Sequence, residues 1–322
     1  MRKSMMTASQ KKGGQIVVVA RERIRRITGS ITFSAYWMIA PAVLLVVAFT
    51  FYPYIYALWS SIRVTSPLLP PAFAGLKNYK AVITSIYFLR AVRNTLIFTA
   101  ASVPITVLLG LLTASLLNRR FFGDVALKAL VLLPWAIPIS ISGVVWRGFF
   151  DDGWGALNAL LYMAGIIPKY IGWLRTEGWL ATLVVITVQV WTQFPFATVL
   201  ILAAMQAIPE ELYEAAAIDG AGLLQRFFYV TLPAIRAMLV IVVIFETLMG
   251  LTTFDLTYAL TGGGPGTATT FIGYFTWAES FKMLNFGNGS ALAVILAVVS
   301  LVMILAILQF IPKGALIGGE ER

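Results

Sequence analysis

The 322-residue sequence contains no cysteine and no histidine. Their absence removes thiolate nucleophiles, disulfides, Cys/His zinc sites and imidazole acid–base chemistry together. Charge is also scarce. Asp, Glu, Lys and Arg make up 12% of the chain against 59% hydrophobic residues, and the mean hydropathy is +0.86. So few charged side chains cannot coat a soluble globule of this size, so the chain reads as an all-α integral membrane protein without a soluble domain.

What charge there is lies unevenly. The formal net charge is +10, and eight of the 24 Lys and Arg residues fall within the first 26 positions. A basic tail ahead of an apolar segment marks a cytoplasmic flank beside anionic lipid, so membrane lipid rather than nucleic acid is the expected partner. The apolar run that follows is longer than the roughly 7–15 residues of a signal-peptide core, and no small-x-small cleavage site closes it. It reads as a retained first helix.

Charge-free windows locate the membrane crossings, because an ionisable group at mid-bilayer costs at least ~2.5–3.5 kcal/mol. Ile27 to Ile62, Asn94 to Asn118, Ala129 to Trp146, Gly178 to Pro209 and Met283 to Pro312 carry no charge. A sixth segment, Pro233 to about Tyr258, is apolar and long enough but contains Glu246. Six spans are therefore expected, at about 33–62, 94–118, 126–147, 179–205, 233–258 and 288–311 within a permeating domain 31–312. A basic cytoplasmic tail, 1–30, precedes it and a short cytoplasmic tail, 313–322, follows. Leu256 to Ala278 is also free of charge apart from its neighbours, but its "TGGGPGTATT" would leave backbone groups unpaired in lipid, so it reads as an ordered extracytoplasmic loop. With the tail inside, cytoplasmic segments hold 15 Lys and Arg and outer segments nine, which puts both termini in the cytoplasm. Pro53, Pro104, Pro134, Pro138 and Pro195 fall inside spans, where they read as kinks required by packing or by a transporter that bends.

Between the fourth and fifth spans, residues 206–232 form a cytoplasmic loop. Its "AIPEELYEAAAIDGAGLLQRFFYVTLPAI" begins with Pro209 in a helix's first turn and Glu210 and Glu211 at the positive end of the dipole. Leu212, Ala215 and Ala216 give a low-relief apolar face, and Glu210, Glu211 and Glu214 an acidic one. Gly220 permits departure from the helix, and Leu223, Leu224, Phe227 and Phe228 start a second apolar helical face. Helix, glycine turn and helix suit either an amphipathic linker or a docking surface for another protein. The segment is longer than the roughly 2–8 residues a connection between helices needs.

These residues carry a family resemblance. Glu214-Ala215-Ala216, then Gly220, then Val230, Leu232 and Pro233 resemble the EAA-x3-G-x9-I-x-L-P loop of permease subunits of binding-protein-dependent ABC importers, with Val230 in place of isoleucine. "FAGLKNYKAV", "NTLIFTAASVPITVLLGLLTASLLNRR", "LVLLPWAIP" and "FDLTYALTGGGPGTAT" look like the carbohydrate-importing permeases of maltose and glycerol-phosphate type. The basic tail lies outside this similarity. The resemblance implies the type I importer permease fold of six transmembrane helices in a bacterial or archaeal cytoplasmic membrane. It also implies a coupling helix in which Glu214, Ala215, Ala216, Asp219 and Gly220 engage an ATPase. The complex it implies holds two related permeases, two ATPase subunits and an extracytoplasmic solute-binding protein, importing a sugar or polyol.

This chain has no phosphate-binding loop of its own, since "GGGPGT" at Gly262 to Thr267 lacks the Lys-Ser/Thr ending. No enzyme activity and no bound cofactor are expected here; ATP and magnesium belong to the partner ATPase. Asp151-Asp152 and "GWGALN" read as a solvated outer turn or a contact with the binding protein. Within the fourth span Gln189, Thr192, Gln193 and Phe196 recur at i, i+3, i+4 and i+7, and in the fifth Glu246, Gly250 and Thr253 repeat that spacing with Met249 beside them. Amides, a carboxylate and a ring suit sugar hydroxyls and CH faces, so two such stripes facing each other would make a mid-membrane pocket; the plainer reading is polar glue between helices. The resemblance places sugar-contacting positions at these same eight residues. Glu246 also leaves a rival from another class open, a stand-alone secondary transporter or channel coupled to protons or cations.

Overall fold

The computed structural model describes residues 34–119, 121–176 and 178–310. Both tails, 1–30 and 313–322, lie outside the described residues. The chain divides after Ala57 into two units, taken in turn.

The described part of the first unit is the apolar helix α1, Ser34–Ser61, which runs into the second and widens to a π turn at Val47–Phe51. None of its residues 34–57 is buried against its own unit.

The second unit opens with an antiparallel hairpin, β1 (Arg63–Ser66) and β2 (Leu69–Phe73), with Arg63 opposite Phe73. This small sheet is an addition to the expected all-helical pattern. Its anchor is the next helix, α2 (Lys77–Ile83): the buried Asn78 amide donates to the Ser61 and Arg63 carbonyls, both at 2.8 Å. The frame then follows as α3 (Ile86–Leu117), α4 (Asp124–Ala136), α5 (Ile139–Phe149), α6 (Ala156–Met163) and α7 (Leu180–Gln206). The short helix α8 (Glu210–Ile218) leads to α9 (Leu223–Ala234), α10 (Arg236–Leu251), α11 (Asp255–Leu260), α12 (Ile272–Trp277) and α13 (Phe286–Leu308).

Among the described residues four helices, α1, α3, α7 and α13, are individually long and apolar enough to cross a membrane. Two bent pairs raise the number to six: α4 with α5, turned by 92°, and α9 with α10, turned by 68°. The first turn falls at Ile137-Pro138, where an extended residue precedes a proline that caps the next helix. The helix is therefore interrupted within 126–147 rather than continuous there. The second turn falls at Ile235, between α9 and α10.

α3 packs along α7 and against α10, and α10 touches α7, making the central trio of the unit. At one end Ala114, Ala197, Ile201, Met205, Ile235 and Val242 form an apolar cluster joining the three. At the other, Phe98 meets Phe271 at 4.5 Å between ring centroids within a cluster including Val184, Val185, Leu256 and Leu260. The "TGGGPGTATT" segment belongs to this second end and lies between α11 and α12, helices of six residues each. Asn94 donates to the Thr267 carbonyl at 2.7 Å, Thr182 to the Ala268 carbonyl at 3.3 Å, and the Thr261 and Thr269 hydroxyls lie 2.7 Å apart. An ordered loop is thus stitched to the starts of α3 and α7. Nearby, the Asp151 carboxylate accepts from the Gly153 and Trp154 amides and closes a tight turn.

Candidate functional site

The acidic helix α8 sits at the end marked by Ala114 and Met205. Pro209 caps it in an extended conformation, Glu210 and Glu211 occupy its first turn, and none of its residues is buried. Glu214, Ala215, Asp219 and Gly220 are exposed, and Ala216 is half-buried. Its C-terminus closes on itself: Gly220 donates to the Ala217 carbonyl at 3.0 Å and Ala221 to that of Ala216 at 2.9 Å, with Gly220 at φ +80°. This is the helix stop that a left-handed glycine makes.

An exposed helix of nine residues does not hold its place alone, and its tether is a pair that sequence spacing did not single out. The Tyr213 and Thr231 hydroxyls lie 2.9 Å apart, and the Arg226 guanidinium donates to the Ala221 carbonyl at 2.8 Å. The available signal was Thr231, a hydroxyl in an otherwise apolar run. Replacing Tyr213 with Phe removes a hydrogen bond worth about 0.5–1.5 kcal/mol. Amide hydrogen exchange across 210–218 should accordingly speed up roughly two- to tenfold in the Tyr213→Phe complex while α3 and α7 exchange as before.

Around this tether the surface stays apolar. Ile218, Leu223, Leu224 and Tyr229 are each more than two-thirds exposed, forming with the acids a mixed patch of the kind that marks a protein contact. Beneath α8 a cleft of about 710 Å³ is lined by Asn118, Arg119, Asp124, Lys128, Gln206, Glu210 and Tyr213. Lys128 and Asp124 form an ion pair at 2.9 Å on its wall.

The polar stripes of the fourth and fifth spans lie in the central trio. Gln189, Thr192 and Gln193 on α7 are buried, with Thr192 donating to the Gln189 carbonyl at 2.9 Å. Phe196, half-buried, stacks on Trp135 at 5.3 Å and meets Phe245, the residue before Glu246, in a tilted contact at 4.5 Å. Glu246 is 3% exposed. Gly250 lies against α3: a methyl group there would come within 2.8 Å of the Thr99 hydroxyl. Phe196 of the first stripe reaches α10 through Phe245, and Gly250 of the second packs on Thr99, a third-helix neighbour absent from the expected set.

Met249, beside the buried Glu246 and Gly250 on α10, is 37% exposed. Thr253 is buried but lies beyond the end of α10 at Leu251, so the i+7 spacing does not describe it. The side-chain oxygens Gln189 Oε1, Gln193 Oε1, Glu246 Oε1, Thr99 Oγ1 and Thr106 Oγ1 are buried with no hydrogen-bond partner. A buried polar atom without a partner commonly costs about 1–3 kcal/mol.

Residues 106–311 match the model of the binding-protein-dependent transport system inner membrane component. The chain belongs to this family. It is a multi-pass membrane component of an ABC importer, a transporter subunit and not an enzyme, and it functions within a system that includes a solute-binding protein. Among curated members, the chain is 35% identical over 277 residues to the sulfoquinovosyl glycerol transport system permease protein of Agrobacterium fabrum, covering 85% of this chain and 89% of that protein. It is 37% identical over 261 residues to the trehalose/maltose transport system permease protein of Thermococcus litoralis, covering 81% and 87%. A permease chain of a bacterial alginate ABC transporter superposes with a TM-score of 0.75 at 23% identity, over 85% of this chain and 92% of that one, and shares the family's fold.

Proposed function

We propose that this permease subunit moves a sugar or related polyhydroxylated solute inward, driven by ATP hydrolysis in partner subunits. The observation that carries the reading is the exposed, tethered α8, joined through α9 and a 68° bend to α10, the helix that bears Glu246. Glu214, Ala215, Ala216, Asp219 and Gly220 form the surface that docks on the ATPase, and movement of α8 is transmitted along α9 into the central trio. Gln189, Thr192, Gln193, Phe196, Glu246, Met249, Gly250 and Thr253 supply the solute's contacts when the trio opens, and the unpaired oxygens there suit a ligand rich in hydroxyl donors. The sugar class is supported by relatives named for sulfoquinovosyl glycerol and for trehalose and maltose.

The assembly holds a second related permease, two ATPase subunits carrying ATP and magnesium, and an extracytoplasmic binding protein. Both termini of this chain face the cytoplasm, on the side of α8. The test is uptake of labelled sugars, maltose and trehalose included, into proteoliposomes holding the complete importer with its loaded binding protein. Uptake should require ATP inside and vanish when the ATPase subunits are left out. Uptake that persisted without them and collapsed with the proton gradient would instead establish a secondary transporter.

A further inference from the structure

At the end of the molecule opposite α8, four aromatic rings gather where the buried polar face stops. α10, which carries Glu246, ends at Leu251, and the buried Thr253 and then Phe254 follow it in the chain. The Phe254 ring lies 5.6 Å from Tyr258 and 5.6 Å from Trp277, Tyr258 meets Trp277 edge-on at 4.9 Å, and Tyr274 lies 5.5 Å from Trp277. Lys282 completes the group. Its ammonium donates to the Tyr274 hydroxyl at 2.9 Å and stands 5.3 Å from the Trp277 ring.

The mount is rigid. Tyr274 is 5% exposed and supports the others from beneath. Gly263, at φ +87°, lies so close to its ring that a methyl group there would be 2.5 Å from Cε1, and the Thr270 hydroxyl holds the Gly263 carbonyl at 2.9 Å. The glycine-rich loop, which the transport reading leaves without a role, therefore clamps the back of the ring cluster. The front is open: Tyr258 is 52% exposed, Phe254 and Trp277 are half-buried, and Lys282 is exposed.

A fixed aromatic surface edged by a hydrogen-bond donor is what the apolar CH face and the hydroxyls of a pyranose ring require, and pre-organisation lowers the entropy cost of binding. We propose that Phe254, Tyr258 and Trp277, with Lys282, form a sugar-receiving platform on which a pyranose ring stacks before it reaches the buried residues of α7 and α10. This rests on the sugar-import reading. Phe254 directly follows Thr253 in the chain, which puts the platform next to one end of the proposed solute contacts.

The test uses the complete importer in proteoliposomes, with uptake of labelled maltose, trehalose and other pyranosides measured per complex. An aromatic contact contributes about 0.5–1.5 kcal/mol, so Tyr258→Ala and Trp277→Ala should each lower uptake roughly two- to tenfold, whereas Trp277→Phe retains most of it. Alanine variants that match wild type per complex overturn the platform, and if only their yield in the membrane falls, the rings serve as an interfacial anchor instead. Variants that fail to assemble leave a second measurement on the wild type. Irradiating it with a diazirine derivative of the sugar it carries should label Tyr258, Trp277 or Lys282, and labelling confined to other residues overturns the proposal. A wild-type importer that carries none of the sugars overturns the sugar reading itself, an outcome distinct from failure of the platform alone.

Discussion

Gly220→Val should cut ATP-driven uptake about 5- to 30-fold in a complex that still assembles, while Gly220→Asn keeps most of the activity. The asymmetry comes from the backbone. No atom lies within 4 Å of the position a Cβ would take at Gly220, so a larger side chain meets no obstacle inside this chain. The residue nevertheless sits at φ +80°. An L-residue pays about 1–2 kcal/mol in that region and a β-branched one more, whereas Asn adopts it readily. Relief of the strain would open the closure in which Gly220 and Ala221 donate to the Ala217 and Ala216 carbonyls, and would re-aim α8 relative to α9. In the proposed docking on the ATPase, Glu214 is then displaced, although α3, α7 and α10 are untouched. Stimulated ATP hydrolysis and uptake should fall together. Full activity in the valine variant would show that the turn does not set coupling, and an equally inactive Asn variant would assign the effect to the side chain.

The parts legible in the sequence are those dictated by local chemistry. A proline followed by two glutamates starts a helix in any context, and α8 begins at Glu210; a glycine after an alanine-rich turn stops it, and Gly220 takes the left-handed conformation. Apolar windows likewise locate α3, α7 and α13 by the cost of charge in lipid. What neighbours decide was hidden. Pro138 announces a disturbance, but its 92° size depends on what packs against both halves. The hairpin was hidden by Pro70 and Pro71, which argue against a strand and are tolerated here in a two-stranded sheet where both strands are edges. Helical spacing also carried Thr253 onto a face it leaves, because α10 ends at Leu251 and the chain turns into α11. Thr99 and the Tyr213–Thr231 pair depend on contacts between distant segments, which no spacing within one helix encodes.

Glu246→Gln should weaken transport roughly 5- to 30-fold without lowering the amount of complex, because an amide nitrogen replaces one carboxyl oxygen and cannot accept, and a solute hydroxyl left without that acceptor costs about 1–2 kcal/mol. The substitution nearly preserves shape, so Phe245 can keep its contact with Phe196 and Gly250 its approach to Thr99. It also removes an ionisable group from the interior of a membrane protein, where such a group is costly to bury, so yield should hold or rise. Loss of function with preserved yield is the signature of a group kept for its ligand rather than for the fold. A full series of sugar concentrations distinguishes the cases: a sugar acceptor at Glu246 loses rate in the glutamine variant, whereas unaltered uptake assigns the carboxylate to packing alone. Repeating the series with the proton gradient collapsed separates solute recognition from proton coupling. ATP-driven uptake should be unaffected in both proteins, and abolition of wild-type uptake would make Glu246 a proton carrier.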